Sequence, residues 1–92
     1  MAAMSVSAAF TALADPTRRQ IIAFLADGEQ PVSSICEQFN CTAPAVSQHL
    51  KVLRETGLVT VRPAAQKRFY AVNKPAVAEV AAWLSGMAGL KN

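Results

Sequence analysis

Ser47, Gln48 and Lys51 set a hydroxyl, a carboxamide and an ammonium within one turn of chain, three and four residues apart at the outer pairs. At that spacing the three groups share one side of a helix. A carboxamide presents a donor beside an acceptor and can pair with N6 and N7 of an adenine, while a hydroxyl or ammonium can hold a phosphate or a base. Val46, Leu50 and Leu53, at i, i+4 and i+7, form an apolar stripe on the opposite side. The segment buries one face and offers a small polar and basic face, which includes Pro44, to something outside. The major groove of duplex DNA admits a helix of that kind.

The flanking residues say where this helix starts and stops. Thr42 can cap it, Pro44 is tolerated in its first turn, and Gly57 ends it in a left-handed conformation. Ahead of it, Asn40-Cys41-Thr42 reads as a tight turn. Pro31 opens the preceding helix of about two turns, with Val32, Ile35 and Phe39 facing inward. A helix, a tight turn and a second helix with a polar face make a helix-turn-helix. That context favours DNA contact over an ordinary solvated side.

Further upstream, residues 4–13 read as a short alanine-rich helix. Asp15-Pro16 starts another, with Ile21, Ile22, Phe24 and Leu25 as its apolar face and Asp27-Gly28 as its stop. Arg18 and Arg19 in its first turn oppose the helix dipole, a small cost that suggests another use for at least one of them.

Downstream the period changes. Leu58–Arg62 and Arg68–Val72 are β-rich and roughly alternating, joined by Pro63-Ala64-Ala65-Gln66-Lys67: a two-stranded hairpin with a basic tip. Asn73 can cap a last helix over residues 75–89. Val77, Val80, Ala81, Trp83, Leu84 and Met87 cover most of its faces, so it should be buried on more than one side. The fold class is mainly α with a small β-hairpin, a winged helix-turn-helix. Residues 1–92 form a single DNA-binding domain, with the first and last helices as the dimer interface.

Bulk composition agrees. Of 92 residues, 52% are apolar and 16% charged, more apolar matter than one small domain hides, which points to a homodimer. The net charge of +3 is unevenly placed. Residues 42–74 hold six cations against Glu55 alone, a local +5, whereas residues 1–41 hold two cations against four acids, a local −2. A positive field concentrated on one stretch suits a polyanion. No apolar run approaches a membrane span and no signal peptide is evident, so the expected location is cytoplasmic.

Within that frame Ser47, Gln48 and Lys51 are the candidate groove contacts, joined by Thr42, Ala43 and Pro44 at the helix start, where the last two could meet thymine methyls. His49 sits at the edge of the stripe, packed there or bonded to backbone or phosphate. Arg54 adds charge near the helix end. Arg62, Gln66, Lys67 and Arg68 belong to the wing, which can track the backbone or enter the minor groove. Arg18 either reaches a phosphate or forms a surface ion pair. Trp83 is a core or interface anchor.

Cys36 and Cys41 are five residues apart. Five helical steps span about 7.5 Å, beyond a disulfide's reach unless the helix has ended or bent. A buried thiol and an incidental one are the plain reading; a redox or thiophilic-metal switch is the alternative. No catalytic constellation is present: no paired acids, no glycine-rich phosphate loop, and no orienting third group for Cys36 with His49. The chain is not expected to be an enzyme. A winged helix used as a protein-interaction module, its basic face docking an acidic partner, is the competing function.

Three phrases carry a family resemblance: Leu13-Ala14-Asp15-Pro16-Thr17-Arg18-Arg19, Val46 through Val59 (VSQHLKVLRETGLV), and Arg68-Phe69-Tyr70. Together they resemble the ArsR/SmtB family of bacterial transcriptional repressors over roughly residues 8–84. The resemblance implies a dimeric winged-helix repressor on an inverted-repeat operator in promoter DNA, released in many members by a metal or another effector. Arsenic-sensing members open the helix before the recognition helix with CxCxxC; here Pro31 and Ser33 stand at the first two positions and Cys36 at the third. Zinc-sensing members carry aspartate and histidine ligands on the last helix, and residues 75–92 contain no Asp, His or Cys. Neither usual metal site is expected, no cofactor is implied, and the inducer is unknown. The Asp15–Arg19 phrase resembles the subgroup that includes autorepressors with no known inducer site.

Overall fold

The computed structural model describes residues 5–90. The elements run α1 (Val6–Leu13), α2 (Pro16–Leu25), β1 (Gln30–Pro31), α3 (Val32–Phe39), α4 (Ala43–Glu55), β2 (Val59–Ala64), β3 (Lys67–Val72) and α5 (Lys74–Met87). Helices α3 and α4 are the helix-turn-helix, and β2–β3 is the wing. The winged helix-turn-helix expected from the sequence is the fold observed.

Side-chain caps set most of the helix starts. Asp15 accepts from the Arg18 amide at 2.9 Å, Thr42 from Ala45 at 3.3 Å and Asn73 from Ala76 at 3.5 Å, as expected. Ser5 does the same for α1, accepting from Ala8 at 3.2 Å. The expected helix start at Met4 lies outside the described residues. Each cap satisfies a backbone amide that has no partner inside its helix.

Two expectations about the sheet need correction. Pro31 opens α3 only as its N-cap. It is extended (φ −76°, ψ 160°) and forms, with Gln30, a third strand that pairs Gln30 with Tyr70 and Pro31 with Phe69. The sheet is therefore three-stranded, in the order β1-β3-β2, rather than a hairpin alone. A two-residue strand has no period to detect, and a proline at a sheet edge removes no ladder bond that is needed there. The wing is also longer than its polar joint suggests. Its strands run to Ala64 and restart at Lys67, which leaves Ala65-Gln66 as a two-residue turn. Ala65 takes a positive φ of 55°. Such turns match the strand twist with left-handed residues, at a cost of about 1–2 kcal/mol for a residue with a β-carbon.

The core joins Ile21 and Leu25 of α2, Ile35 of α3, Val46, Leu50 and Leu53 of α4, then Leu58, Val59, Tyr70 and Val80, with Ala9 and Ala12 closing one end. Helix α5 departs from expectation. Only Val80 is buried, while Trp83 and Leu84 are each 53% exposed, Met87 70% and Leu90 66%. Within one chain, Trp83 is not a core anchor.

Behind α4 the chain is clasped. Gly57 (φ 82°) turns it out of the helix, and the Leu58 amide donates back to the Leu53 carbonyl at 3.0 Å. The Asn73 side chain then caps α5 with its oxygen and donates from Nδ2 to the Gly57 carbonyl at 2.8 Å. One residue thus ties the end of α4 to the start of α5. Asn73→Ala should cost about 2 kcal/mol in urea unfolding, because cap and clasp are both lost. Asn73→Asp, which can cap but cannot donate to Gly57, should lose about half as much. Equal losses for the two variants would show that the cap contributes nothing, and an Asn73→Asp chain as stable as the wild type would show the same of the clasp.

Candidate nucleic-acid interface

Helix α4 is seated by Val46, Leu50 and Leu53, exposed by 0%, 1% and 0%. Their burial fixes the rotation of the helix, and Pro44, Ser47, Gln48, Lys51 and Arg54 all lie exposed on the other side. Thr42 and Ala43 are exposed at its N-terminus. Among the described residues, none of the side chains of Ser47, Gln48, Lys51 and Arg54 makes a hydrogen bond or ion pair. These polar groups are free to meet a ligand. Gln66, Lys67 and Arg68 are likewise exposed at the wing tip.

Other candidates are engaged elsewhere. Arg18 donates from Nε to the Ala12 carbonyl at 2.6 Å and reaches the Thr11 carbonyl at 3.5 Å. Arg19 donates to Leu13 at 2.7 Å and Ala14 at 3.1 Å. The two guanidiniums sit at the C-terminus of α1, where unpaired carbonyls and the negative end of the helix dipole favour a cation. That resolves their awkward place at the start of α2. Arg18 holds α1 to α2.

Arg62 is also occupied. It grips both oxygens of Glu29, with Nε at 3.2 Å, and its guanidinium lies 5.2 Å from the centre of the Phe69 ring. The pairing holds the Glu29 carboxyl below its ordinary range and raises the Arg62 guanidinium, mainly through their mutual hydrogen bonds. Glu29 was not singled out from the sequence. It stands 33 residues from its partner, and no local spacing connects them.

His49 is half-buried, with Nδ1 turned inward. Its side chain is 24% exposed, its Nδ1 is buried without a hydrogen bond, and the nearest charge is Asp15 Oδ2 at 3.8 Å. Asp15 itself is held below the ordinary aspartate range by the Arg18 amide first and by the nearby His49 second. The contact joins the recognition helix to the start of α2. Among the described residues no group of three potential metal ligands comes together. Cys36 and Cys41 are free, half-buried thiols packed against the core.

The structure therefore sorts the cations. Among the described residues Arg18, Arg19 and Arg62 are held by internal partners, whereas Lys51 and Arg54 on α4, Lys67 and Arg68 on the wing, and Lys74 at the start of α5 have none. Among the described residues no helix is long and apolar enough to cross a membrane.

Comparison with known proteins agrees with this geometry. Residues 15–61 match the model of the arsR family of bacterial regulatory proteins. The transcriptional repressor SdpR of Bacillus subtilis (strain 168) is 31% identical over 75 residues, which cover 82% of this chain and 83% of that protein. The HTH-type transcriptional regulator Rv2034 of Mycobacterium tuberculosis is 44% identical over 70 residues, covering 76% of this chain but 65% of that protein. The crystal structure of an ArsR family transcriptional regulator, RHA00566, superposes with a TM-score of 0.83 at 30% identity, over 91% of this chain and 92% of that one.

The Glu29–Arg62 contact has a pH signature. A carboxyl whose folded pKa is depressed stabilises the fold above its unfolded value, here 4.5, and that contribution is lost as pH falls through the lowered folded value. Urea midpoints of the wild type and Glu29→Gln should differ near neutral pH, and the difference should shrink as pH falls below 4.5 through the lowered folded value. A difference that persists unchanged in acid would place the effect outside this ion pair.

Proposed function

Because this chain belongs to the arsR family of bacterial regulatory proteins, and is therefore a DNA-binding transcriptional regulator and not an enzyme, we propose that it acts as a homodimeric repressor on an inverted-repeat operator. The whole chain serves as a single DNA-binding domain in the cytoplasm. Each subunit lays α4 in a major groove, the two grooves about one helical turn (~34 Å) apart. Gln48 reads a base edge, Ser47 and Lys51 hold phosphate or base, and Thr42, Ala43 and Pro44 approach at the helix start. Arg54 follows the strand, and Gln66, Lys67 and Arg68 on the wing contact the backbone. Occupation of the promoter represses it.

The observation that supports this reading best is the sorting of the cations. Four cations without an internal partner flank a polar helix face that makes no contact within the chain. An acidic protein surface would satisfy the charge but would not need the exposed carboxamide among it. The dimer is supported by the exposed apolar row of Trp83, Leu84, Met87 and Leu90 at the end of α5. Isolated apolar side chains are ordinary at a surface, but four close together along one helix end call for cover.

Two measurements test the proposal. In mobility-shift titrations with the chain's own promoter fragment, Gln48→Ala should flatten the preference at one base pair by about 1–3 kcal/mol. Lys67→Ala should instead weaken every sequence alike and reduce the slope of log affinity against log salt by about 1. The reading face is misassigned should neither variant differ from the wild type. A protein that fails to retard the fragment at moderate salt would favour the protein-interaction alternative. Trp83→Glu should convert the dimer to monomer in sedimentation and lower operator affinity in parallel; an unchanged mass would move the interface off α5.

A further inference from the structure

We propose that Cys36 and Cys41 form a dithiol site that low-molecular-weight disulfides oxidise to an intrachain disulfide. Its closure would weaken operator binding, a consequence that rests on the repressor function proposed above. The inference comes from how α3 ends. A continuous helix would hold these α-carbons about 7.5 Å apart, too far to bridge. Helix α3 instead stops at Phe39, Asn40 adopts the left-handed conformation (φ 51°, ψ 42°), and the Asn40 amide folds back onto the Cys36 carbonyl. The Cys41 amide reaches the same carbonyl at 3.3 Å.

This is the reversal in which the third residue from a helix end meets the second residue beyond it, commonly as an apolar pair. Here both positions are cysteines. Given backbone bond lengths, the Cys41–Cys36 hydrogen bond limits the α-carbon separation to about 7 Å, and a bent path makes it shorter. Disulfides span about 4.4–6.8 Å between α-carbons. The helix end supplies the proximity that a separation of five residues would otherwise deny.

The chemistry balances with a small disulfide as oxidant. One cysteine thiolate attacks the oxidant's S–S bond, forms a mixed disulfide and releases the first small thiol. The second cysteine thiolate then attacks the protein-bound sulfur and releases the second small thiol. The two cysteines lose two protons and two electrons, and the oxidant becomes two thiols.

Closure acts on DNA binding through the neighbouring residue. Cys41 Sγ now lies 3.3 Å from the Phe39 carbonyl, and it must leave that contact to bond Cys36. Cys41 directly precedes Thr42, whose hydroxyl caps α4 at the Ala45 amide. Strain in the turn passes into the cap and the first turn of α4, the part that holds Thr42, Ala43 and Pro44.

The full chain is equilibrated with oxidised or reduced glutathione, then examined by intact mass spectrometry, non-reducing electrophoresis and promoter-fragment titration. The oxidised chain should lose about 2 Da, resist thiol alkylation and run without a chain-to-chain cross-link. Its operator affinity should fall on the order of tenfold, as for the loss of one helix cap, and return with dithiothreitol. Cys36→Ser and Cys41→Ser should each bind DNA like the reduced wild type and ignore oxidised glutathione. A stable glutathione adduct, a cross-link between chains, a response that survives either serine variant, or an intrachain disulfide without change in affinity would overturn the proposal. Failure of the reduced protein to bind DNA would count against the repressor reading instead, and the mass and alkylation measurements would still decide whether the disulfide closes.

Discussion

Everything at the exposed polar face depends on how α4 is seated. Val46, Leu50 and Leu53 are almost completely buried, and they pack with Ile21, Leu25, Ile35 and Leu58 in one core. Full burial of such side chains is worth about 1.5–3 kcal/mol each. Rolling the helix by one residue, about 100°, would swing Ser47, Lys51 and Arg54 toward the core and bring aliphatic side chains out. The penalty for that roll is several kilocalories, comparable with the stability of a small domain. The outward aim of Ser47, Gln48 and Lys51 thus follows from apolar packing on the far side of the same helix.

Electrostatics refines what packing has set. The exposed Glu29–Arg62 pair contributes little to stability, as surface pairs generally do. Its effect is geometric, because it joins β2 to the residue just before β1 while Phe69 offers its ring to the same guanidinium. With β1 hydrogen-bonded to β3 as well, the base of the wing is fastened to the start of α3. Arg18 and Arg19 fasten α1 to α2 in a similar way through carbonyls that a helix end leaves unpaired. Among the described residues the unengaged cations are those on α4 and the wing tip, with Lys74 at the start of α5. A formal local charge of +5 over residues 42–74 overstates the charge available there, since Glu29 offsets Arg62 from outside that stretch.

The helices, their caps and the apolar face of α4 were legible in the sequence because each depends on contacts three or four residues apart. Asp15, Thr42 and Asn73 act where they stand, and Gly57 adopts the positive φ that its position demands. What was not legible depends on distance or on brevity. Strand β1 is too short to show a period, and Glu29 finds Arg62 across 33 residues. The aim of a polar side chain at the edge of a stripe was equally hidden: His49 faces Asp15, a pairing between two helices that neither helix announces. Arg18 and Arg19 were half legible. Their unfavourable place in the dipole of α2 signalled a second partner, though only the fold identifies it as the end of α1. The apolar excess of the last helix pointed to burial, but a single chain covers only the line of Val80.

That uncovered row bears on how binding can be both specific and adjustable. One recognition helix presents a few polar side chains, too few to separate one site from a genome of competitors, whereas two joined helices multiply their discrimination. In the proposed dimer, joining them would place a demand on rigidity, because both helices would have to arrive in register with one helical turn of DNA. Most of the surroundings of α4 meet that demand with close apolar packing. The link to α3 is different in kind: a reversal of three residues, Asn40, Cys41 and Thr42, held by two amides on the Cys36 carbonyl and by a single hydroxyl cap. A change of a few kilocalories there competes with two or three hydrogen bonds and with the partial packing of Phe39 and Cys41 against the core. Under the proposed disulfide closure, adjustment of α4 would enter through this turn, which is held by a few hydrogen bonds at the end of α3 and the start of α4.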